Sequence, residues 1–239
     1  MTIDANRRAA LSAGVLFIAA TAASVSATAL SQPFLTHSDY LTRVTANANQ
    51  VAGAALLDFL AAAASAGVAI SLYPVLKGWN VGLSLGSVVF RTVEAVMYIA
   101  GLVTLLSLPA LGQQFSRAAS ADRASYQAIG DSLLNAREEV ILAGVLAFSL
   151  GALLYYYLFY RSRLVPRWLS GWGIAAIILM IVACLLAWFS HNPVTTYTIL
   201  ALPIGVQEMV LAVWLIASGF NSAALQSRTA ARVSAAVAG

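Results

Sequence analysis

Six apolar runs alternate with polar stretches along the chain, at residues 9–30, 51–76, 83–106, 136–160, 168–189 and 197–220. Each has about the 20 residues or more that an α-helix needs to cross a bilayer core. The expected fold class is therefore all-α: a polytopic membrane protein built as a six-transmembrane-helix bundle. Residues 1–239 read as a single integral membrane domain. The polar breaks punctuate it. Residues 1–8 end in Arg7 and Arg8, Gln32–Gln50 form a polar loop, and Lys77–Asn80 a tight turn. Pro109 breaks the third run and opens the longest polar segment, 110–135. Phe115, Tyr126, Ile129, Leu133 and Leu134 could give that segment the apolar face of a short amphipathic helix.

Details of the runs refine this picture. The first contains Ala27-Thr28-Ala29, which resembles a signal-peptidase site. Its apolar part exceeds the usual h-region of about 7–15 residues, so we read it as an uncleaved helix. The second is rich in Ala and Gly, which lets helices approach closely in lipid and predicts a buried position. The fourth is read as starting near Ala136, with Glu138 and Glu139 at a solvated helix N-terminus where carboxylates are favoured. It ends in the cluster Tyr155 to Tyr160, read as an interfacial anchor.

Six crossings put both termini on one side. Arg7, Arg8, Lys77, Arg161, Arg163, Arg167, Arg228 and Arg232 then share the terminal side, and Arg43, Arg117, Arg123 and Arg137 the other. By the positive-inside rule, the expected location is a bacterial cytoplasmic membrane with both termini cytoplasmic.

Composition agrees. Only 9% of the 239 residues are charged and 61% are hydrophobic, where a soluble domain carries about 25% charged residues. The lipid bilayer is the expected partner, and no length is left over for a separate soluble domain. The net charge of +4 is spread over short caps at span ends rather than gathered in one patch, so no nucleic-acid partner is expected. Cys184 is alone, and His37 and His191 have no partner at metal-ligand spacing. No metal site is expected, and whether a cofactor is used is not legible. Phosphate-loop, dinucleotide-binding and nucleophile-elbow motifs are absent.

The candidate chemistry lies inside the spans. The third run carries Arg91-Thr92-Val93-Glu94-Ala95-Val96-Met97-Tyr98 near its middle. A charge at that depth costs about 3 kcal/mol on insertion scales. Arg91 and Glu94, three residues apart, share a helix face and can pair. Counting residues puts Glu94 and Glu208 near mid-membrane, Asp58 in the outer half, and Glu138 and Glu139 near the outer end of the fourth span. Glu208 reads either as a protonated carboxyl bonded between helices or as a titrating or cation-binding group. The candidate binding residues are Arg91, Glu94, Glu208, Asp58, Glu139 and Tyr98.

Several motifs resemble one bacterial family. They are Leu72-Tyr73-Pro74-Val75-Leu76-Lys77 with Phe90 to Glu94; Leu153 to Tyr156 with Arg161 to Ser170 and Trp172-Gly173; and Pro203 to Glu208 with Trp214-Leu215-Ile216 and Gly219-Phe220. The chain is similar in these, from about Arg7 to Phe220, to the family catalogued as domain of unknown function 4386. The resemblance implies a six-helix bacterial inner membrane protein. It implies no activity, and it singles out Arg91, Glu94 and Glu208 as the polar residues of its motifs.

The expected function is binding or transport of a small molecule, ion or lipid at a polar site between the third and sixth spans. Arg91 would be positioned by Glu94, and Glu208 would titrate or bind a cation. Two alternatives remain open: an intramembrane lipid-modifying enzyme using a buried carboxylate, and a non-catalytic partner or sensor subunit in which the charges only specify packing. Oligomeric state is not legible.

Overall fold

The computed structural model describes residues 3–237, which contain no strand. Eight helices follow one another: α1 (Ile3–Leu35), α2 (Tyr40–Ala46), α3 (Ala48–Leu76), α4 (Val81–Arg117), α5 (Arg123–Ser162), α6 (Arg167–Ser190), α7 (Thr198–Ala217) and α8 (Ser222–Val237). A 3-10 turn at Val194–Tyr197 leads into α7. Six of these helices, α1 and α3 to α7, are long and apolar enough to span a membrane. Each lies beside the next in chain order, and α7 closes the ring against α1.

The helices run past the apolar stretches. At 37 and 40 residues, α4 and α5 extend about 55 and 60 Å, nearly twice a bilayer core of about 30 Å. The segment expected to be mostly polar loop after Pro109 is thus a helical hairpin that turns only at residues 118–122. Pro109 sits inside α4 and does not end it. An interior proline costs about 3 kcal/mol, and packing on both sides of it offsets that cost. Leu105 and Leu108 are fully buried against Tyr40, Leu41 and Val44 of α2. Thr45 Oγ1 also lies 3.4 Å from the Pro109 carbonyl oxygen. Phe115, Leu133 and Leu134 join this cluster as expected of an apolar face, whereas Ile129 is half exposed.

The expected loop at 32–50 is largely helical too, with α1 reaching Leu35 and α2 folding over the hairpin. Tyr40 donates from its hydroxyl to Asp131 Oδ1 at 2.9 Å, locking α2 to α5. Burial, together with the neighbouring Asp131 carboxylate, pushes the Tyr40 hydroxyl well above its ordinary pKa, so it remains a donor far above neutral pH.

The opposite end gathers the termini. Arg7 donates from Nη1 to the Leu215 carbonyl at 3.1 Å and from Nη2 to that of Ile216 at 2.6 Å. These are orphan carbonyls of the last turn of α7, where a cation is favoured. Arg228 Nε likewise donates to the Gly78 carbonyl at 2.7 Å. Asn80 opens α4 by accepting from the Leu83 N–H at 2.9 Å, a side-chain cap. The largest core cluster fills this half of the ring, with Phe17, Tyr155, Tyr156 and Phe159 at its centre.

Candidate functional site

Above the aromatic cluster the six helices enclose a cavity of about 340 Å³, within the range of about 300–1,000 Å³ typical of ligand pockets. The third-span motif supplies its inner wall. Arg91 is 2% exposed and Glu94 3%, and Arg91 Nη1 lies 3.2 Å from Glu94 Oε2. The same carboxylate oxygen accepts from Ser65 Oγ of α3 at 2.8 Å. Behind the guanidinium lies the ring of Phe148, 4.6 Å from its central carbon, a cation–π contact from α5.

This set leaves the arginine incompletely matched. Nε and Nη1 have no hydrogen-bond partner among the described residues. The approach of Nη1 to Glu94 is therefore a charge contact without hydrogen-bond geometry. A buried donor without a partner costs roughly 1–3 kcal/mol, more when charged. The second buried arginine is farther along the cavity. Arg137 of α5 places Nη2 3.5 Å from Asp58 Oδ2 and Nη1 3.9 Å from Glu138 Oε1, and its Nε is unpartnered as well.

Glu208 enters from α7. Its Oε1 accepts from the Tyr155 hydroxyl at 3.4 Å, and no arginine or lysine among the described residues reaches it as an ion pair. Its neighbour Gln207, fully buried, closes the site on the side of the termini. Gln207 Oε1 accepts a short hydrogen bond from the Tyr156 hydroxyl, and Nε2 donates to the Leu169 carbonyl at 3.0 Å. Replacing Gln207 with Leu keeps the volume but leaves Tyr156 unsatisfied. We expect a loss of about 1–3 kcal/mol, read as a lower unfolding midpoint in lipid nanodiscs.

The structure thus brings Arg91, Glu94, Tyr98, Asp58 and Glu208 to one cavity. Glu139 is not among them. It is exposed and lines a separate hollow with His191 and Asn192. Successive helix residues point about 100° apart, so Glu138 and Glu139 cannot both face inward, and Glu138 does. Neither is at a helix N-terminus, because α5 begins at Arg123. The tyrosine cluster divides in the same way. Tyr157 and Tyr160 are exposed, as anchors would be, but Tyr155 and Tyr156 are fully buried and hold the polar groups of α7. Sequence reasoning missed these two, together with Ser65, Phe148 and Gln207. The signal for Gln207 was present, as a second polar residue beside Glu208 in an apolar span.

Among the described residues no group of three His, Cys, Asp or Glu side chains is placed to hold a metal ion. A larger hollow of about 560 Å³ opens at the end bearing the termini, beside Arg163 and Arg167. Among the described residues it has no buried unpartnered group, which leaves the central cavity as the candidate site.

Six apolar helices ringed in chain order around a cavity that holds the buried charges of the spans define an integral membrane protein. The chain belongs to the family described as Domain of unknown function (DUF4386), whose model matches residues 12–219. No curated protein and no solved structure shows a significant match to it.

Proposed function

We propose that this protein binds or transports a small molecule, ion or lipid in the central cavity, with Arg91 as the receiving group. One observation carries the reading: Arg91 is almost fully buried within a membrane-spanning helix, lines the cavity, and keeps Nε and Nη1 without protein partners. A group so costly in lipid is a functional-site hypothesis by default. Glu94 and Ser65 fix its position, Glu208 supplies the titrating or cation-binding carboxylate, and Asp58 and Tyr98 line the approach.

The same reading treats the chain as one integral membrane domain in a bacterial cytoplasmic membrane, with both termini cytoplasmic. The eight-to-four sorting of basic residues supports that orientation.

Native mass spectrometry of protein released from membranes tests the site. Wild type is expected to retain a bound small molecule or lipid. Arg91→Gln is expected to lose at least tenfold in occupancy while its secondary structure persists. Equal occupancy in a folded Arg91→Gln protein would sink the reading.

A further inference from the structure

We propose that the ligand is an amphiphile that enters the cavity sideways from the bilayer, between α1 and α7. Its headgroup carries a phosphate or carboxylate with an ammonium beside it. This deepens the reading of Arg91 given above and rests on it.

The chemistry follows from what the cavity leaves unmatched. Asp58 has Arg137, and Glu94 has Arg91 and Ser65. Farther along the cavity Arg137 keeps one free N–H, and at the inner wall two needs remain: acceptors for the free N–H groups of Arg91, and a positive partner for Glu208. The two residues line the same cavity. A simple anion would satisfy Arg91 and bring a second negative charge towards Glu208. A simple cation would satisfy Glu208 and leave the arginine donors bare. A headgroup with both charges answers both, and the planar arginine fork suits two oxygens of one phosphate or carboxylate.

The route follows from the α1–α7 seam. Towards the termini the two helices touch closely. A Cβ at Gly14 would lie 2.8 Å from the Ala212 carbonyl oxygen, and Arg7 caps Leu215 and Ile216. Farther along, Thr21, Ser24, Val25 and Thr28 of α1 and Ala201 and Gly205 of α7 all line the cavity. Ser24, Val25, Thr28 and Gly205 are exposed, and a Cβ at Gly205 would meet nothing within 4 Å. Small side chains, which elsewhere let helices close up, here border an opening on the lipid-facing side of the ring. A headgroup can pass inward through it while its chain stays in lipid.

The test uses full-length protein in uncharged dodecyl maltoside micelles and four probes: lysophosphatidylethanolamine, lysophosphatidylglycerol, soluble phosphoethanolamine and ethanolamine. Wild type is expected to bind lysophosphatidylethanolamine at least tenfold more tightly than either lysophosphatidylglycerol or phosphoethanolamine. Glu208→Gln, which can still accept from Tyr155, should narrow the preference between the two lipids to under threefold. Gly205→Phe has room to fold, and should slow lipid association at least fivefold without slowing that of phosphoethanolamine. Arg91→Gln should weaken all three phosphate probes. Should it fail to fold, Arg91→Lys, which keeps the charge and loses the fork, should weaken them less.

Phosphoethanolamine binding as tightly as the lipid, with no effect of Gly205→Phe, would overturn lateral entry and indicate a soluble zwitterion. Equal binding of the two lipids would overturn the ammonium. Both results leave the Arg91 site standing. Loss of binding by no probe in Arg91→Gln would sink the site itself along with this inference.

Discussion

Glu94→Ala is expected to lower stability by about 3–5 kcal/mol, the cost of stripping one partner from a buried ion pair. The magnitude comes from the arginine left behind. Arg91 already lacks partners for two of its donors, and Glu94 is its one ion-pair contact among the described residues. Ser65 would lose its acceptor at the same time. Neutralising both charges as Arg91→Gln with Glu94→Ala should cost less than the two single changes added, by a coupling of about 0.5–3 kcal/mol. Unfolding in a lipid-mimetic micelle, followed for the four proteins of the cycle, gives both numbers. Additive losses would mean the pair does not interact in the folded protein.

Gly112→Ala should destabilise the packing of α2 on α4 by about 1–3 kcal/mol, through overpacking rather than charge. Gly112 sits where α4 passes beneath α2, and a Cβ there would collide with the Leu41 carbonyl oxygen and Thr45 Oγ1. Backbone cannot swing aside as a side-chain tip can, so α2 must lift. Amide exchange in residues 40–46 should quicken while that of α6 stays unchanged. Gly53→Ala is the control. A Cβ at Gly53 meets nothing within 4 Å, so exchanging a helical glycine for alanine there should be neutral or stabilise by up to about 1 kcal/mol.

The spans were legible because lipid punishes exposed polar groups over about 20 consecutive residues, and a signal of that length survives local irregularity. Arg91 and Glu94 were legible for the same reason, and their three-residue spacing correctly implied a pair. The extended α4–α5 hairpin was not. Its polar far part reads as loop from composition, and Pro109 reads as a stop. What decides the matter is the contact of Leu105 and Leu108 with α2, a neighbour more than 60 residues away in sequence. Losing the hairpin also misplaced Glu139, because a helix start near residue 136 lets both glutamates sit at a solvated end. Tyr155 and Tyr156 were hidden differently. Tyrosines at a span end are ordinarily interfacial, and only the arrival of α7 with Gln207 and Glu208 turns two of them inward.

The central claim is that Arg91 is a receiving group for a ligand rather than a packing device. A density map of the protein purified in its own membrane lipids, at a resolution that shows bound groups, tests this most directly. Ordered density is expected in the cavity within hydrogen-bond distance of Arg91 Nε or Nη1, continuing towards Glu208. A guanidinium closed over by protein groups, with the cavity collapsed and α1 sealed against α7 along Ser24 and Thr28, would contradict it.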